Sequence, residues 1–251
     1  MIGRRLALIV TGVIMVTVLS GCATAGAGHS SAPLPLSPIP SVTASSGPPG
    51  PPAPPPPVGV SATAEVSRLT VYASLGGAVK LSLTNPRPSG APLTFLVLQS
   101  SSDWLEVQLP DRPNGSRGWI SASQVTLHNL DYSLRVSTEQ NTLSLYRSNA
   151  LVSTYSVATG TGGTPTPLGA FYLTELLAPT NSGYGPYAFG LSAFSAVLTS
   201  FGGGPGQIGL HGTDDAASIG KAVSHGCIRM SNVDITTLAK MLPLGTPITI
   251  E

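Results

Sequence analysis

Three residues near the end of the chain have side chains suited to covalent chemistry. Cys227 lies in the stretch SHGC, two residues after His225, and His211 lies further upstream in GLHGT. A cysteine nucleophile needs a base within hydrogen-bond reach, a group that orients the base, and donors for the oxyanion that forms. Glycines beside both histidines let the backbone approach a substrate closely. The pattern predicts a cysteine nucleophile that attacks a carbonyl group.

Spacing does not decide which histidine is the base. His225 and Cys227 are two residues apart and would point the same way in an extended segment. His211 could instead face the thiol from a neighbouring strand or loop. The other two histidines, His29 in a proline-rich segment and His128 near a domain junction, receive no role.

The N-terminus predicts export. Arg4 and Arg5 precede an almost unbroken apolar run over residues 6–19, which is typical of a secretory signal peptide and short for a membrane span. The run ends in LSGC, which resembles the bacterial lipobox, so residues 1–22 are predicted to be a lipoprotein signal peptide with Cys22 as the lipidated residue. The alternative is an ordinary signal peptide in which Cys22 is incidental. Lipidation would place the protein in the cell envelope, on the outer face of the cytoplasmic membrane.

The cysteine count supports a reactive thiol. The chain has two cysteines, so a lipidated Cys22 leaves Cys227 without a disulfide partner. An unpaired cysteine outside the cell is a liability unless it does chemistry.

Composition separates a linker from the folded part. Of the 24 prolines, 12 lie in residues 33–57, so residues 23–62 are predicted to be an extended linker. At ~3.1 Å per residue those 25 residues could reach about 75 Å and hold the folded part away from the membrane. With a net charge of +1 and 9% charged residues, the chain lacks the basic patch that nucleic-acid binding requires.

Residues 63–127 are predicted to form a small β domain. The stretches RLTVYAS, AVKLSLT and LTFLVLQ are rich in strand-forming residues and are separated by Gly and Pro. The pattern W-x-x-V followed by G-W-I resembles bacterial SH3-like domains, which are small β-barrels. Trp104 and Trp119 are predicted to be core residues of this domain, in preference to ligand-binding residues.

Residues 130–251 continue the β pattern and contain one helix. Strands are predicted in YSLRVST, TLSLYRS, LVSTYSVATG, GAFYLTEL, QIGLHGT and TPITIE. The helix SNVDITTLAKML begins with a capping box formed by Ser231 and Asp234, and Pro243 and Gly245 end it. Four residues are predicted to form its apolar face: Val233, Ile235, Leu238 and Leu242.

A family resemblance covers this second region. HGT followed by SHGCIRM is similar to the signature of the L,D-transpeptidase (YkuD-like) catalytic domain. VATGTGGTPTPLGAFYL resembles a further segment of that family, with Thr166, Pro167 and Gly169 at matching positions, and YGPYAFGLSAF resembles the stretch before its active site. The resemblance implies a mainly β protein, in which an SH3-like barrel precedes a β-sandwich catalytic domain with one short C-terminal helix.

The resemblance also implies roles for the site residues. Cys227 would be the nucleophile and His211 the base, with the backbone carbonyl of Gly212 orienting the imidazole. The backbone N–H groups of His225, Gly226 and Cys227 would line the oxyanion hole, and Ser224 and His225 would shape the loop. Arg229 would support this loop or meet a substrate carboxylate.

Two tyrosines in a Gly/Pro-rich loop have two equal interpretations. Tyr184 and Tyr187 could cover a substrate groove, or they could simply pack where they lie.

The implied reaction is peptidoglycan L,D-transpeptidation. The Cys227 thiolate would attack a tetrapeptide stem at its third residue, release the terminal D-alanine and leave a thioester, which the side-chain amine of another stem converts into a 3→3 cross-link. Water as acceptor would make the enzyme an L,D-carboxypeptidase, and a protein lysine would anchor that protein to the wall. No metal or other cofactor is implied, and carbapenem β-lactams should acylate Cys227.

Three other functions are less well supported. His211, His225 and Cys227 could bind zinc, but their spacing matches no zinc signature. A cysteine peptidase of the NlpC/P60 class typically carries its cysteine before its histidine, the reverse of the order here. An inactive wall-binding lipoprotein would have little reason to keep an unpaired thiol beside intact histidines.

Overall fold

The computed structural model describes residues 58–201 and 204–251, which form two large β-sheets, a two-stranded sheet and one α-helix within a single compact unit. The predicted signal peptide, Cys22, His29 and nearly all of the predicted linker lie outside the described residues. Within the described ranges, no helix is both long enough and apolar enough to cross a membrane.

The first sheet is antiparallel and has seven strands. Its strands are β1 (Val60–Ala64), β2 (Arg68–Tyr72), β3 (Val79–Thr84), β4 (Thr94–Ser101), β5 (Trp104–Gln108), β6 (Arg117–Ser121) and β7 (Val125–Asn129). They follow the order β3-β2-β6-β5-β4-β1-β7. His128 lies on the last strand and is exposed. That this sheet is an SH3-like domain with the predicted boundaries stays a prediction.

The expectation that Trp104 and Trp119 are core residues is wrong. Side chains alternate along a strand, and Leu105 and Ile120 take the inward positions of β5 and β6. Both tryptophans therefore face outward and are only partly buried. Trp104 makes an edge contact with Tyr72, with ring centroids 5.1 Å apart.

The second sheet has eight strands. They are β8 (Tyr132–Ser137), β9 (Thr142–Arg147), β10 (Ala150–Ser156), β12 (Gly169–Leu177), β13 (Ala188–Phe194), β14 (Gln207–His211), β16 (Ile228–Arg229) and β17 (Pro247–Ile250), and β11 (Thr159–Gly160) pairs separately with β15 (Ala222–Ser224). The order is β10-β9-β8-β17-β12-β13-β14-β16. Two of its pairs are parallel, β17 with β8 and β14 with β16. The prediction of a mainly β protein with one short C-terminal helix is confirmed.

Helix α1 (Asn232–Met241) begins as the capping box predicts. The hydroxyl of Ser231 accepts a hydrogen bond from the N–H of Asp234 at 3.1 Å and donates one to its carboxylate at 2.7 Å. Ile235, Leu238 and Leu242 pack into the core of the second sheet. Val233 was expected on this face but is 76% exposed, because two residues along a helix turn the side chain about 200° from Ile235.

The two sheets meet through a small apolar cluster and through polar contacts. Leu96, Leu130 and Tyr172 form the cluster. Arg87 forms an ion pair with Glu175 of β12 at 3.3 Å, and Ser89 also donates to that carboxylate. Elements of the first sheet therefore contact the strands that carry the candidate site.

Candidate active site

Cys227 and His211 lie on neighbouring backbone segments. β14 ends at His211, β16 begins directly after Cys227, and the two strands pair in parallel with Leu210 opposite Ile228. This register sets Gly209 against Cys227, and the N–H of Gly209 donates a hydrogen bond to the Cys227 Sγ at 3.4 Å.

Gly209 leaves an opening between the thiol and the imidazole. His211 is two residues further along the strand and so projects from the same face as Gly209. A Cβ atom at Gly209 would lie 3.6 Å from the His211 Cδ2 and 3.9 Å from the Cys227 Sγ. The edge of the imidazole next to Nε2 and the thiol therefore border the same space, which the glycine keeps free of a side chain.

A backbone carbonyl fixes the tautomer of His211. The Nδ1 of the buried imidazole lies 2.5 Å from the carbonyl oxygen of Gly212. A carbonyl oxygen can only accept, so Nδ1 carries the proton and donates. Neutral His211 therefore has its free lone pair on Nε2, which is the form that a general base requires.

The first turn of α1 holds the carbonyl that orients His211. The side-chain oxygen of Asn232 accepts a hydrogen bond from the N–H of Thr213 at 3.0 Å. A Cβ atom at Gly212 would collide with this oxygen and lie 3.0 Å from Ile235. A Cβ at Gly185, whose φ is +63°, would also collide with it, so close packing fixes the Gly212–Thr213 peptide.

Burial keeps both reactive groups neutral. Burial lowers the pKa of His211 from 6.5 to about 4, against the hydrogen bond from Nδ1 to Gly212, and the Arg229 cation lowers it further. Burial raises the pKa of the Cys227 thiol above its ordinary value, although the Gly209 N–H and the Arg229 cation favour the thiolate. At neutral pH the site holds a thiol beside a neutral imidazole.

The SHGC segment is a turn built on Ser224. The buried Ser224 hydroxyl donates to the Cys227 carbonyl at 2.5 Å and accepts from the Gly226 N–H at 3.0 Å. Gly226 has a φ of +115°, which favours glycine. The prediction for Ser224 as a loop-shaping residue therefore agrees with its contacts.

One of the three expected oxyanion donors is already engaged. The Gly226 N–H points to Ser224 and is not available to an oxyanion, which corrects the expectation for that group. In the part of the chain that the structure describes, no hydrogen bond uses the N–H of His225 or Cys227. These two groups remain the candidate donors.

The segment that precedes β12, residues 160–166, forms hydrogen bonds with the same turn. The Thr166 hydroxyl donates to the Gly226 carbonyl and accepts from the Gly160 N–H, both at 2.9 Å. The Ser224 carbonyl accepts from the N–H of Thr161 at 3.0 Å and from the Thr164 hydroxyl at 3.3 Å. This segment positions the turn that carries the thiol.

The structure separates the two histidines that spacing left open. His225 is exposed, and its ring stacks on Phe201 with centroids 5.4 Å apart and an interplanar angle of 27°. The positive φ of Gly226 ends the extended geometry that would have aligned His225 with Cys227. His211 is buried and oriented by a carbonyl, and only His211 has the environment of a positioned base.

Tyr184 and Tyr187 have different surroundings. The Tyr184 ring lies 4.7 Å from the His211 ring, and burial raises the pKa of its hydroxyl, which therefore stays protonated as a donor. Tyr187 packs against the core of the second sheet, and its carbonyl accepts from the Gly212 N–H at 3.2 Å. Its side chain is not among those that line three cavities beside Cys227, which favours the packing interpretation, and a role for Tyr187 in substrate binding stays a prediction.

Two cavities meet at Cys227. One, of about 290 Å³, extends past Gly209 and Gln207 to Glu175. The other, of about 190 Å³, extends past His225 to Arg229, whose guanidinium lies 4.0 Å from the Asp215 carboxylate. Four residues line both cavities: Tyr184, Phe201, His211 and Cys227. The thiol is thus accessible from two sides.

Sequence comparisons agree with this geometry. The family model for YkuD, the L,D-transpeptidase catalytic domain, matches residues 131–250. YkuD of Bacillus subtilis (strain 168) is 38% identical over 124 residues, which cover 49% of this chain and 68% of that protein. YkuD of Bacillus licheniformis is 35% identical over 149 residues, which cover 57% of this chain and 83% of that protein.

The chain belongs to the L,D-transpeptidase family. It is accordingly an enzyme of this kind, with a function related to the cell wall. Among solved structures, L,D-transpeptidase 3 from Mycobacterium tuberculosis in complex with a faropenem-derived adduct is 14% identical, with a TM-score of 0.43, over 56% of this chain and 76% of that chain.

Sequence reasoning missed several residues of this L,D-transpeptidase site. Gly209 separates the reactive groups, and Asn232 fixes the peptide after His211. Phe201 lines the two cavities described above and a third, much smaller one that also reaches Cys227. The alternation G-x-H in QIGLHGT could have indicated Gly209, because residues two apart share a face of a strand. Phe201 and Asn232 carry no such local signal.

Within the described ranges, no group of three or more His, Cys, Asp and Glu side chains is placed to hold a metal ion.

Proposed function

We propose that this protein is a peptidoglycan L,D-transpeptidase that forms 3→3 cross-links through a thioester on Cys227. Tetrapeptide stems are the acyl donors, and the side-chain amine of another stem is the acceptor. The observation that carries this proposal is the oriented His211: its Nδ1–H is held by Gly212, and both its Cδ2 edge and the Cys227 Sγ lie within 4 Å of the space left open by Gly209.

In the proposed acylation, every proton has a defined path. The Nε2 of His211 takes the thiol proton as the Cys227 Sγ bonds to the carbonyl carbon of the third stem residue. The N–H groups of His225 and Cys227 stabilise the oxyanion. The C–N bond to D-alanine then breaks, Nε2 returns the proton to the leaving amine, and a thioester remains. An acceptor amine attacks this thioester, loses its proton to Nε2 and releases the thiol.

The two cavities support a two-substrate reaction. We assign the donor peptide to the larger cavity and the acceptor to the smaller one, because both reach Cys227 and the rest of their lining differs. Arg229 in the smaller cavity supplies a cation for a carboxylate of the incoming stem, and the protonated Tyr184 hydroxyl supplies a donor. An acceptor site distinct from the donor site favours transpeptidation over hydrolysis, because a bound amine excludes water.

The test is intact-mass spectrometry of the purified chain with Cys22→Ala, which leaves Cys227 as the one thiol. We expect a carbapenem to add one acyl group, and a disaccharide-tetrapeptide to give a cross-linked dimer. The control Cys227→Ala should give neither. A tripeptide product alone would identify an L,D-carboxypeptidase, and no adduct with no turnover would reject the enzymatic function in favour of wall binding.

A matched pair of histidine variants tests the base. We expect His211→Gln to slow acylation by about 10²–10⁴-fold, as removal of a general base does. His225→Gln keeps its backbone N–H and should change the rate by less than about tenfold. The reverse ranking would show that His225 is the base.

The export and anchoring of the chain are part of the same proposal. Residues 1–22 direct it to the outer face of the cytoplasmic membrane, Cys22 carries the lipid, and an SH3-like first domain follows the linker. Metabolic labelling with an alkyne fatty acid should mark the wild-type chain and not Cys22→Ala. Equal labelling of both, or release of the wild type from membranes by salt, would contradict the anchor.

A further inference from the structure

The loop between β13 and β14 carries an aromatic side chain to the reactive cysteine. In this loop (residues 195–206, described over 195–201 and 204–206) the Phe201 ring stacks on His225 and lines each of the three cavities that reach Cys227. Its backbone is bonded to Gly204 in both directions at 3.0 Å. The position of this loop therefore determines access to the thiol.

A side chain of the first sheet holds both arms of this loop. Arg112, in the connection between β5 and β6, donates from Nη1 to the Ser195 carbonyl at 2.8 Å. Its Nη2 donates to the carbonyls of Leu198 at 3.1 Å and Pro205 at 3.0 Å. The planar guanidinium suits such multiple contacts, and hydrogen bonds from a charged donor are the stronger kind.

Asn114 holds the start of the same loop. Its amide nitrogen donates to the Phe194 carbonyl at 2.9 Å, and its amide oxygen accepts from the Phe194 N–H at 2.8 Å. The Arg112 guanidinium also lies 5.1 Å from the centroid of the Phe194 ring. Gly206 has a φ of +74°, and a Cβ there would collide with the Leu198 carbonyl, so the arms fit closely beneath Arg112.

We propose that Arg112 and Asn114 are positioning residues for the active site: they fix the loop that places Phe201 beside Cys227. Both residues precede the region 131–250 that matches the family's catalytic domain. The connection between β5 and β6 of the first sheet thereby helps to position the active site of the second sheet. This inference rests on the proposed function only for its effect on turnover, because access to the thiol can be measured without any substrate.

The first test compares the rates at which Cys227 reacts with a small reagent, iodoacetamide, and a bulky one, N-phenylmaleimide. All variants are full chains with Cys22→Ala. The ratio of the two rates cancels changes in thiol pKa and reports steric access. We expect Arg112→Ala and Asn114→Ala to change the ratio by about threefold or more, because a released loop samples other positions. Arg112→Lys should give a smaller change than Arg112→Ala, because an ammonium can still bond to some of the three carbonyls, although it cannot reach all of them.

Arg117→Ala is the matched control. Arg117 is an exposed arginine on β6, and among the described residues no hydrogen bond or ion pair joins its side chain to the loop. Its loss changes the net charge equally. This control should leave the ratio unchanged. A thermal melt shows whether each variant is folded at the assay temperature. An unchanged ratio in both Arg112→Ala and Asn114→Ala, with only a lower melting temperature, would overturn the proposal, since the contacts would then merely join the two sheets.

The second test uses turnover of the disaccharide-tetrapeptide. We expect Arg112→Ala to raise KM about fivefold and to change kcat less than about twofold, because the loop lines the binding cavities and does not supply a reacting group. An altered thiol-access ratio in a chain that lacks transpeptidation would refute the proposed function and support the positioning role. Normal transpeptidation, with a thiol-access ratio and a KM that are unaltered in the variants, would support the proposed function and refute the positioning role.

Discussion

We expect the alkylation rate of Cys227 by iodoacetamide to rise steadily with pH through neutrality. Burial raises the pKa of the Cys227 thiol above its ordinary value, so only a small fraction of Cys227 is thiolate at pH 7, and the rate should increase about tenfold per pH unit through neutrality. Iodoacetamide is uncharged, so the profile reports the thiol alone. The chain with Cys22→Ala is the material to use, because the signal is then free of a second thiol.

The free energy of proton transfer from Cys227 to His211 follows from the pKa shifts of the two groups. Proton transfer from a thiol with the ordinary pKa of about 8.5 to an imidazole with pKa about 4 would cost about 6 kcal/mol, and burial raises the pKa of Cys227 and so increases this cost. Attraction between two unit charges 4 Å apart returns about 4 kcal/mol at an effective dielectric constant of 20. The neutral pair is therefore the stable form of the resting site, and the proton moves only as the substrate is attacked.

A different profile would refute this reasoning. A rate plateau between pH 5 and 8 would mean a preformed thiolate–imidazolium pair, as would a midpoint well below 8. The variant His211→Gln provides the control. Because a neutral imidazole contributes no charge, its removal should move the midpoint by less than about half a pH unit, whereas loss of an ion-pair partner would raise it by one or more.

Three other perturbations have defined outcomes. The pKa of His211 is 6.5 in the unfolded chain and about 4 in the folded protein, so the free energy of unfolding falls as the pH falls between these values. Between pH 7 and 4.5, denaturant titration should show the wild type losing about 2 kcal/mol more than His211→Gln. Equal losses would contradict a buried neutral imidazole. Gly212→Ala should cost about 1–3 kcal/mol of stability and slow carbapenem acylation, because its Cβ displaces Asn232; an unchanged acylation rate would mean that this peptide does not orient the base. Ser224→Ala leaves the Cys227 carbonyl and the Gly226 N–H without their partner and should cost about 1–3 kcal/mol by the same titration, whereas a loss below about 0.5 kcal/mol would show that other groups hold the turn.

Local patterns predicted the strands and the helix of the second sheet. Alternating apolar residues gave the strands, and the capping box at Ser231 gave the start of α1. The parallel pairing of β14 with β16, which brings His211 beside Cys227, has no local signal, because two strands far apart in sequence choose each other through tertiary packing. From the residues alone, the base therefore stayed open between His211 and His225.

Errors arose where several residues of one segment were apolar. In WLEVQ, both Trp104 and Leu105 could face inward, and only the register with β6 turns Leu105 and Val107 to the core and Trp104 outward. In α1, Val233 is apolar but lies only two residues before Ile235, a spacing that residues on one face of a helix do not have. Its angular position excludes it from that face.

The contacts of Arg112 illustrate a different limit of sequence reasoning. In a turn with proline, asparagine and glycine, an arginine is expected to be a solvated surface charge. Arg112 is indeed exposed in the structure, yet its guanidinium forms three hydrogen bonds to backbone carbonyls. Its three acceptors belong to a loop more than 80 residues later in the chain. A residue that no local sequence pattern indicates can therefore position a loop beside the nucleophile. A variant truncated to the family-matched region 131–250 would lose the contacts of Arg112 while keeping Cys227 and His211.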